Sequence, residues 1–314
     1  MTRLLLLTKR RAGLAASGLV LLTAALAECG FQLHFEEQAP SPEAYDALVA
    51  PMAAVHEEGD LVLVRPAWAE PHVRRALGDA YFPREGVGRA ANGRFARAVE
   101  ILLPGGDRDP PTGFRVARAV EAAPFTLRVL ENVAYRPAVF DFVRKLGNRH
   151  ATVRGTDPPF LCAFRENAKV STGRLGGPPA FPRARFECEA LETQVSRSFV
   201  TDERWEPRDC IYAQPPETGE RVIQFTTVPL GQSVEGHTLI HWMTSRTRTG
   251  APVSMTVRIN GDVIGEITHA DGDGWAPFRF DTGTHAGKPD ATVEFVIASE
   301  GGERREFCFE ALSL

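Results

Sequence analysis

VSMTVRINGDVIGEITH, residues 253–269, decides the fold of the C-terminal half. Apolar and polar residues alternate on both sides of Asn260-Gly261, as expected of two strands that each bury one face. An Asn-Gly pair readily adopts the positive φ angles that a two-residue hairpin turn requires. This stretch therefore predicts an antiparallel hairpin.

The same alternation recurs in the segments on both sides of this hairpin. Further strands are predicted in RVIQFTTVPLG, HTLIHWMTS, APFRFDTG, ATVEFVIAS and REFCFEALSL. Pro- and Gly-rich turns separate the segments, and no helical pattern lies between them. Many short strands in this arrangement predict a jelly-roll-like β-sandwich over residues 154–314. In HTLIHWMTS the strand is expected to continue through His241 and Trp242, with these two side chains on opposite faces.

The preceding part of the chain, residues 36–153, has a different pattern of apolar and polar residues. Helical spacing is found in SPEAYDALVAPMAAVHEEGD, EPHVRRALGD and PAVFDFVRKLG, and short strand-like runs in LVLVRP, RAVEILLPGG, FRVARAVEA and FTLRVLENV. Helices interspersed with short apolar strands predict a small α/β domain ahead of the sandwich.

Two resemblances to known families accompany these patterns. Residues 220–314, through GHTLIHWMTSRT, SMTVRINGDVIGEIT, GWAPFRFDTG and ATVEFVIAS, resemble the galactose-binding-like β-sandwich of carbohydrate-binding modules and discoidin-type domains. This resemblance implies a ligand on the loops at one end and, as in some members, a structural calcium there. The run from Tyr45 through GDLVLVRPAWAEPHVRRALGD, which ends at Asp79, resembles the soluble part of bacterial lipid-linked-sugar glycosyltransferases of the mannosyltransferase type. Their catalytic half is embedded in the membrane and has no counterpart in this sequence, so this second resemblance implies a fold and a pathway but no activity.

The N-terminal segment, residues 1–35, predicts export. Four basic residues lie among residues 1–11, and residues 12–27 carry no charge. A secretory signal peptide with cleavage before Glu28 is the favoured interpretation. The alternatives are an uncleaved membrane anchor and a lipoprotein modified at Cys29. At about 1.5 Å per residue, the apolar run reaches roughly 24 Å, less than the ~30 Å core of a bilayer. Each interpretation places the rest of the chain outside the cytoplasm, in the periplasm or cell envelope.

The remaining cysteines favour the same compartment. Cys162, Cys188, Cys210 and Cys308 all lie in the second half of the chain. An even number of cysteines in one half of an exported protein predicts two disulfides, and the absence of a C-x-x-C pair argues against a metal site. Three pairings are open, of which we favour Cys162–Cys188 with Cys210–Cys308.

Aromatic side chains are the candidate ligand-binding residues, because an aromatic face packs against the C–H side of a sugar ring. Trp275, Trp242, Tyr212 and His241 are the candidates for such stacking. Trp275 is the best placed, since it follows a loop, whereas aromatic residues within a sandwich more often pack in the core.

A candidate metal site lies just ahead of Trp275, in HADGDGW, residues 269–275. Asp271 and Asp273 could hold a structural calcium together with loop carbonyls. An EF-hand is excluded because its fifth and sixth positions would be Trp275 and Ala276. The favoured alternative is turn chemistry, since Gly tolerates positive φ and Asp hydrogen-bonds to nearby backbone.

Composition and motifs exclude several function classes. The net charge of −4 argues against nucleic-acid binding, and no catalytic or phosphate-binding motif is present. We expect an exported, non-catalytic cell-envelope protein that binds a glycan or an envelope protein and needs no cofactor. Such a protein would contact the membrane only through an uncleaved N-terminal segment. The alternatives are a structural or assembly component and an enzyme acting on polysaccharide or lipid-linked sugar. If the chain is such an enzyme, Glu70 and Asp79 are its candidate catalytic carboxylates, in a site near Arg65 and Trp68.

Overall fold

The computed structural model describes residues 21–30, 40–82, 92–104, 106, 109–170, 181–188, 194–301 and 305–314. Residues 21–30 are helical, and most of the predicted export segment lies outside the described residues. No helix in the described ranges is both long and apolar enough to cross a bilayer.

A mixed sheet with short helices forms the first part of the structure. Its strands are β1 (Leu61–Arg65), β2 (Arg97–Leu102), β3 (Phe114–Ala122) and β4 (Phe125–Asn132), and its helices are α1 (Pro42–Asp46), α2 (Val49–Val55) and α3 (Glu70–Leu77). The strand order is β1-β2-β4-β3, with β1 parallel to β2 and the other pairs antiparallel. The helices and the sheet share one buried cluster that includes Tyr45, Met52, Val73, Ile101 and Phe125.

Two antiparallel sheets form the rest of the structure. The strands that follow β4 are β5 (Phe140–Asp141), β6 (Ala151–Thr156), β7 (Pro159–Leu161), β8 (Ala163–Arg165), β9 (Arg185–Glu187), β10 (Val195–Thr201), β11 (Pro207–Ala213), β12 (Arg221–Val228), β13 (Ser233–Ile240), β14 (Val253–Ile259), β15 (Asp262–His269), β16 (Ala276–Asp281), β17 (Ala291–Ser299) and β18 (Phe307–Ser313). One sheet has the order β16-β13-β18-β11-β10-β9-β8, with β5 also paired to β18, and the other has the order β15-β14-β17-β12-β6-β7. Buried residues from both sheets, including Phe142, Phe225, Phe295 and Phe309, form one core. The predicted β-sandwich is therefore confirmed.

The hairpin predicted over residues 253–269 is present. Strands β14 and β15 pair up to Ile259 and Asp262, and the turn residues Asn260 and Gly261 have φ angles of 51° and 92°. Along β14, buried residues alternate with partly exposed ones.

The segment PAVFDFVRKLG differs from its predicted helix. Phe140 and Asp141 form β5, and turns follow them. Phe142 is fully buried, and its amide donates to the carbonyl of Ala311 on β18. Burial of Phe140 and Phe142 in the sandwich core outweighs the local helical pattern. The sandwich core thus includes residues upstream of residue 154.

Both favoured disulfides are present. Cys162 bonds to Cys188, and Cys210 on β11 bonds to Cys308 on the neighbouring strand β18. Cys29 is a free, exposed cysteine. Two disulfides are typical of proteins that fold in oxidising compartments.

Candidate functional site

Three connections meet at one end of the sandwich, which we call the loop end: residues 202–206, 241–252 and 270–275. Side-chain hydrogen bonds join them to one another. The Ser245 hydroxyl donates to Glu203 Oε1 at 2.9 Å and accepts from the amide of Gly272 at 2.8 Å. Because these bonds link all three connections, the loops at the loop end are fixed relative to one another.

The turn 202–206 presents a tryptophan to solvent. The buried carboxylate of Asp202 accepts hydrogen bonds from the amides of Arg204 and Glu206, both at 2.9 Å. Between them, Trp205 has a φ of 62° and a side chain that is 65% exposed. A left-handed conformation costs a residue with a β-carbon about 1–2 kcal/mol, so the surrounding hydrogen bonds must stabilise it. Trp205 is not among the residues that the sequence predicts to bind a ligand; the available signal was a tryptophan among charged residues between two strands.

Trp242 lies beside Trp205 and not within a strand. Strand β13 ends at Ile240, and Trp242–Ser245 form a short helix, α4. The expectation that the strand continues through Trp242 is wrong, because the amides of Thr244 and Ser245 donate to the carbonyl of His241 and turn the chain. The partly exposed ring of Trp242 lies 4.7 Å from that of Trp205, centroid to centroid, with a tilt of 49°. We call Trp205 and Trp242 the tryptophan pair.

His241 supports this pair and is not itself on the surface. Its side chain is largely buried, and Nδ1 lies 2.6 Å from Oε2 of Glu306. The amide of His241 also donates to the carbonyl of Glu306 at 2.9 Å. These contacts hold the start of α4, and with it Trp242, against the connection that precedes β18.

Tyr212 and Trp275 belong to a second apolar cluster on the outer face of the larger sheet. Tyr212 is 1% exposed and packs with the Cys210–Cys308 disulfide, so its expected role in surface stacking is corrected to a role in the core. Trp275 is partly exposed at the edge of the same cluster. Its Nε1 donates to the carbonyl of Glu206 at 3.0 Å, and the guanidinium of Arg208 lies 5.2 Å from its ring centroid. Trp275 therefore braces the turn that carries Trp205.

The two candidate calcium ligands are engaged by the protein itself. Asp271 is largely buried and accepts from Arg305 Nη2 at 2.7 Å and from the amide of Gly250 at 3.0 Å. Asp273 accepts from the amide of Ala270 at 2.8 Å, and the glycines on either side of it, Gly272 and Gly274, have φ angles of 91° and 63°. This is the geometry of a turn. Within the described ranges, no group of three or more His, Cys, Asp or Glu residues could hold a metal ion.

Two arginines supply hydrogen-bond donors near the tryptophan pair. Arg204 precedes Trp205 in the turn, and the guanidinium of Arg246 lies 5.4 Å from the ring centroid of Trp242. Both are exposed, and neither forms a salt bridge with a carboxylate of the described residues. By contrast, Arg248 pairs with Glu203 at 2.7 Å. The loop end thus combines an exposed aromatic face with two guanidinium groups that form no salt bridge with the described residues.

The residues of the alternative enzyme interpretation form surface and buried ion pairs. Glu70 and Asp79 both pair with Arg74, at 3.1 and 3.2 Å. Arg65 pairs at 2.7 Å with Glu100, which is fully buried. This arrangement does not distinguish Glu70 and Asp79 from ordinary surface carboxylates.

Comparison with known proteins gives no family assignment. No family model matches the chain, and no curated protein matches it. Solved structures that match part of the chain include the second CBM51 domain with the INT domains of Clostridium perfringens ZmpB, bound to GlcNAc (10% identity, TM-score 0.26). That match covers 37% of this chain and only 26% of the solved chain.

Two further solved structures are single carbohydrate-binding modules. The CBM51 module of Clostridium perfringens GH95, in complex with methyl-galactose, is 12% identical and matches with a TM-score of 0.27 over 37% of this chain and 80% of the module. A CBM36 module in complex with calcium and xylotriose is 11% identical and matches with a TM-score of 0.22 over 48% of this chain and 93% of the module. All these TM-scores are below 0.5, so what this chain binds has to be argued from its own side chains.

Proposed function

We propose that this chain is an exported, non-catalytic glycan-binding protein of the cell envelope, and that the tryptophan pair at the loop end contacts the sugar. The observation that carries the proposal is Trp205: a large aromatic ring, 65% exposed, held in a left-handed conformation by a hydrogen-bonded turn. Backbone strain that the surrounding structure maintains is characteristic of functional sites.

The chemistry of the tryptophan pair suits a sugar. Trp205 offers a flat apolar face, and Trp242 supports it from a rigid element, so little side-chain entropy is lost on binding. Arg204 and Arg246 supply donors to the hydroxyl oxygens around the ring. A surface built only to pack against a structural neighbour would not require a tryptophan in a strained conformation.

Export is part of the proposal. The basic and then apolar N-terminal segment supports it, and so do the two disulfides, Cys162–Cys188 and Cys210–Cys308. A calcium ion at Asp271 and Asp273 is not part of the proposal, because both carboxylates already accept hydrogen bonds from the protein.

A glycan array followed by calorimetry with the best ligand tests the proposal. Trp205→Ala and Trp242→Ala should each weaken binding at least about tenfold, a loss of ~1.4 kcal/mol or more. The matched control is Trp68→Ala, since Trp68 is 54% exposed but lies in the N-terminal part. If no glycan binds, or if Trp205→Ala binds as well as the wild type, the proposal is wrong and an envelope protein becomes the better candidate partner.

A further inference from the structure

A cavity lies between the N-terminal part of the structure and the outer face of the larger sheet, and neither member of the tryptophan pair lines it. Its volume is about 430 Å³, within the range of small-molecule sites. Arg94 and Arg136 line one side, and Glu235, His237 and Glu310 line the sheet side. Glu235 precedes the end of β13 by five positions, or roughly 17 Å, whereas Pro277 follows Trp275 of the loop end by two positions. We call this space the seam cavity.

The carboxylates of the seam cavity are already saturated with donors. Glu235 accepts from both terminal nitrogens of Arg136, at 2.8 and 2.6 Å, and from the hydroxyl of Ser233 at 2.6 Å. Glu310 accepts from Arg208 Nη1 at 2.6 Å and from His237 Nδ1 at 2.9 Å. Burial alone would raise the pKa of Glu310, but the hydrogen bond from His237 and the charge of Arg208 lower it below its usual value. Both carboxylates therefore remain ionised and have little capacity for a ligand.

The guanidinium groups retain unused donors. The side chain of Arg94 is 10% exposed, and its only hydrogen bond to a described side chain goes to Asp141. Its Nη1 is 4.0 Å from Oε2 of Glu310, an ion pair but not a hydrogen bond. Since a guanidinium carries five N–H donors, Arg94 keeps donors for a ligand in the cavity that it lines.

The charge balance favours an anion. Among the residues that line the cavity, Arg94, Arg136 and Arg279 carry a positive charge, and Glu235 and Glu310 carry a negative charge. Three positive charges against two negative ones leave an excess of one positive charge on the lining. The anion would be desolvated in a partly enclosed site, where a charge-assisted hydrogen bond to Arg is strong.

One acceptor and an apolar wall complete the seam cavity. Nδ1 of His237 lies 2.9 Å from Oε1 of Glu310 and 3.1 Å from Nη1 of Arg208, which leaves the second ring nitrogen, Nε2, to which none of the described residues bonds. In the tautomer that donates from Nδ1 to Glu310, Nε2 accepts a hydrogen bond, for example from a hydroxyl. Pro277 and Leu312 supply apolar surface beside these groups.

We propose that the seam cavity binds a hydroxylated carboxylate of about monosaccharide size, a uronic acid or a free hydroxy acid. The carboxylate bonds to Arg94, a hydroxyl donates to Nε2 of His237, and the C–H face packs against Pro277 and Leu312. This site is independent of the tryptophan pair, so either proposal stands without the other.

Calorimetry on the full-length protein tests this site with D-glucuronate. D-glucose, which lacks the carboxylate, is the uncharged control. Glucuronate should bind and glucose should bind at least tenfold more weakly. Arg94→Gln should weaken glucuronate binding at least tenfold, whereas Trp205→Ala should leave it unchanged. Acyclic D-gluconate distinguishes a uronic acid from a free hydroxy acid as the ligand. If gluconate binds as tightly as glucuronate, the site accepts a free hydroxy acid; if it binds more weakly, the site requires the sugar ring.

A second variant guards against loss of the fold, because Arg94 also pairs with Asp141. Leu312→Trp fills the cavity from a partly exposed position and leaves the ion pairs in place. It should also weaken glucuronate binding at least tenfold with an unchanged melting temperature. The inference is overturned if neither glucuronate nor gluconate binds, if glucose binds as well as glucuronate, or if either folded variant binds these acids like the wild type.

Discussion

The indole rings of Trp205 and Trp242 lie with centroids 4.7 Å apart, although they belong to different connections of the sandwich. Trp205 reaches this position through a φ of 62°, and Trp242 reaches it because β13 ends one residue before His241. Both departures from regular structure serve one result, an aromatic face that is exposed to solvent.

The conformation of Trp205 predicts an unusual order of stability among its variants. Trp205→Ala retains the unfavourable φ and loses the ring contact, whereas Trp205→Gly loses the contact but removes the strain. We therefore expect the Gly variant to be more stable than the Ala variant by about 1 kcal/mol, although glycine usually destabilises. Chemical denaturation measures the difference. An Ala variant as stable as the Gly variant would show that the turn does not hold residue 205 in a left-handed conformation.

The two disulfides should differ in their contributions. Cys210–Cys308 closes a sequence separation of 98 residues and Cys162–Cys188 one of 26. The chain-entropy model gives about 5 and about 3.5 kcal/mol for loops of these lengths. Replacing both cysteines of the first pair by alanine should therefore lower the free energy of unfolding by about 1 kcal/mol more than replacing both of the second. Cys29→Ser is the control and should have no effect. Equal decreases in the free energy of unfolding for the two double variants would contradict the chain-entropy model.

The Asp271–Arg305 pair predicts a large effect from one substitution in a loop. The Arg305 side chain is only 2% exposed, and Asp271 provides its hydrogen bond. Asp271→Ala removes the carboxylate that pairs with this buried guanidinium among the described residues, which should cost about 3–5 kcal/mol. The matched change Asp273→Ala removes one hydrogen bond in an exposed turn and should cost about 1 kcal/mol. Thermal unfolding of the two variants provides the comparison, and similar losses would argue against the ion pair.

The same pair predicts the response to calcium. A cation at Asp271 would meet the positive charge of Arg305 at 2.7 Å from the carboxylate. We expect that neither millimolar calcium nor a chelator changes the melting temperature. If calcium raised the melting temperature and the chelator reversed that rise, a calcium site would be demonstrated.

The sequence predicts the sandwich well because each strand of a hairpin buries one face, as β14 shows. It fails for Tyr212 because both faces of β11 are buried: the outer face is covered by the disulfide cluster, so alternation does not reveal which side is exposed. It fails for Trp205 because exposure there depends on a backbone angle and on hydrogen bonds from Asp202. The seam cavity was beyond prediction, since β13, β18 and the segment before β5 meet only in the folded chain.

His269 lies beneath the loop end as a buried, neutral imidazole. The amide of Ile240 donates to Nε2 at 3.3 Å, so Nδ1 carries the proton and donates to the hydroxyl of Thr238 at 2.9 Å. Burial is the main cause that lowers the pKa of His269 to about 4, and the charge of Arg305 lowers it further, against the opposing effects of Asp273 and Asp271.

This pKa predicts how stability changes with pH. In the unfolded chain His269 takes up a proton near pH 6.5, whereas in the folded chain it does so only near pH 4. The unfolded state therefore binds more protons between these values, and the free energy of unfolding should fall by up to about 3 kcal/mol as the pH falls through this window. His269→Gln does not titrate and should show a flatter dependence between pH 6.5 and 4 in denaturant titrations. Parallel profiles for the two proteins would mean that His269 is not held neutral, and the imidazole NMR titration would then show an ordinary pKa.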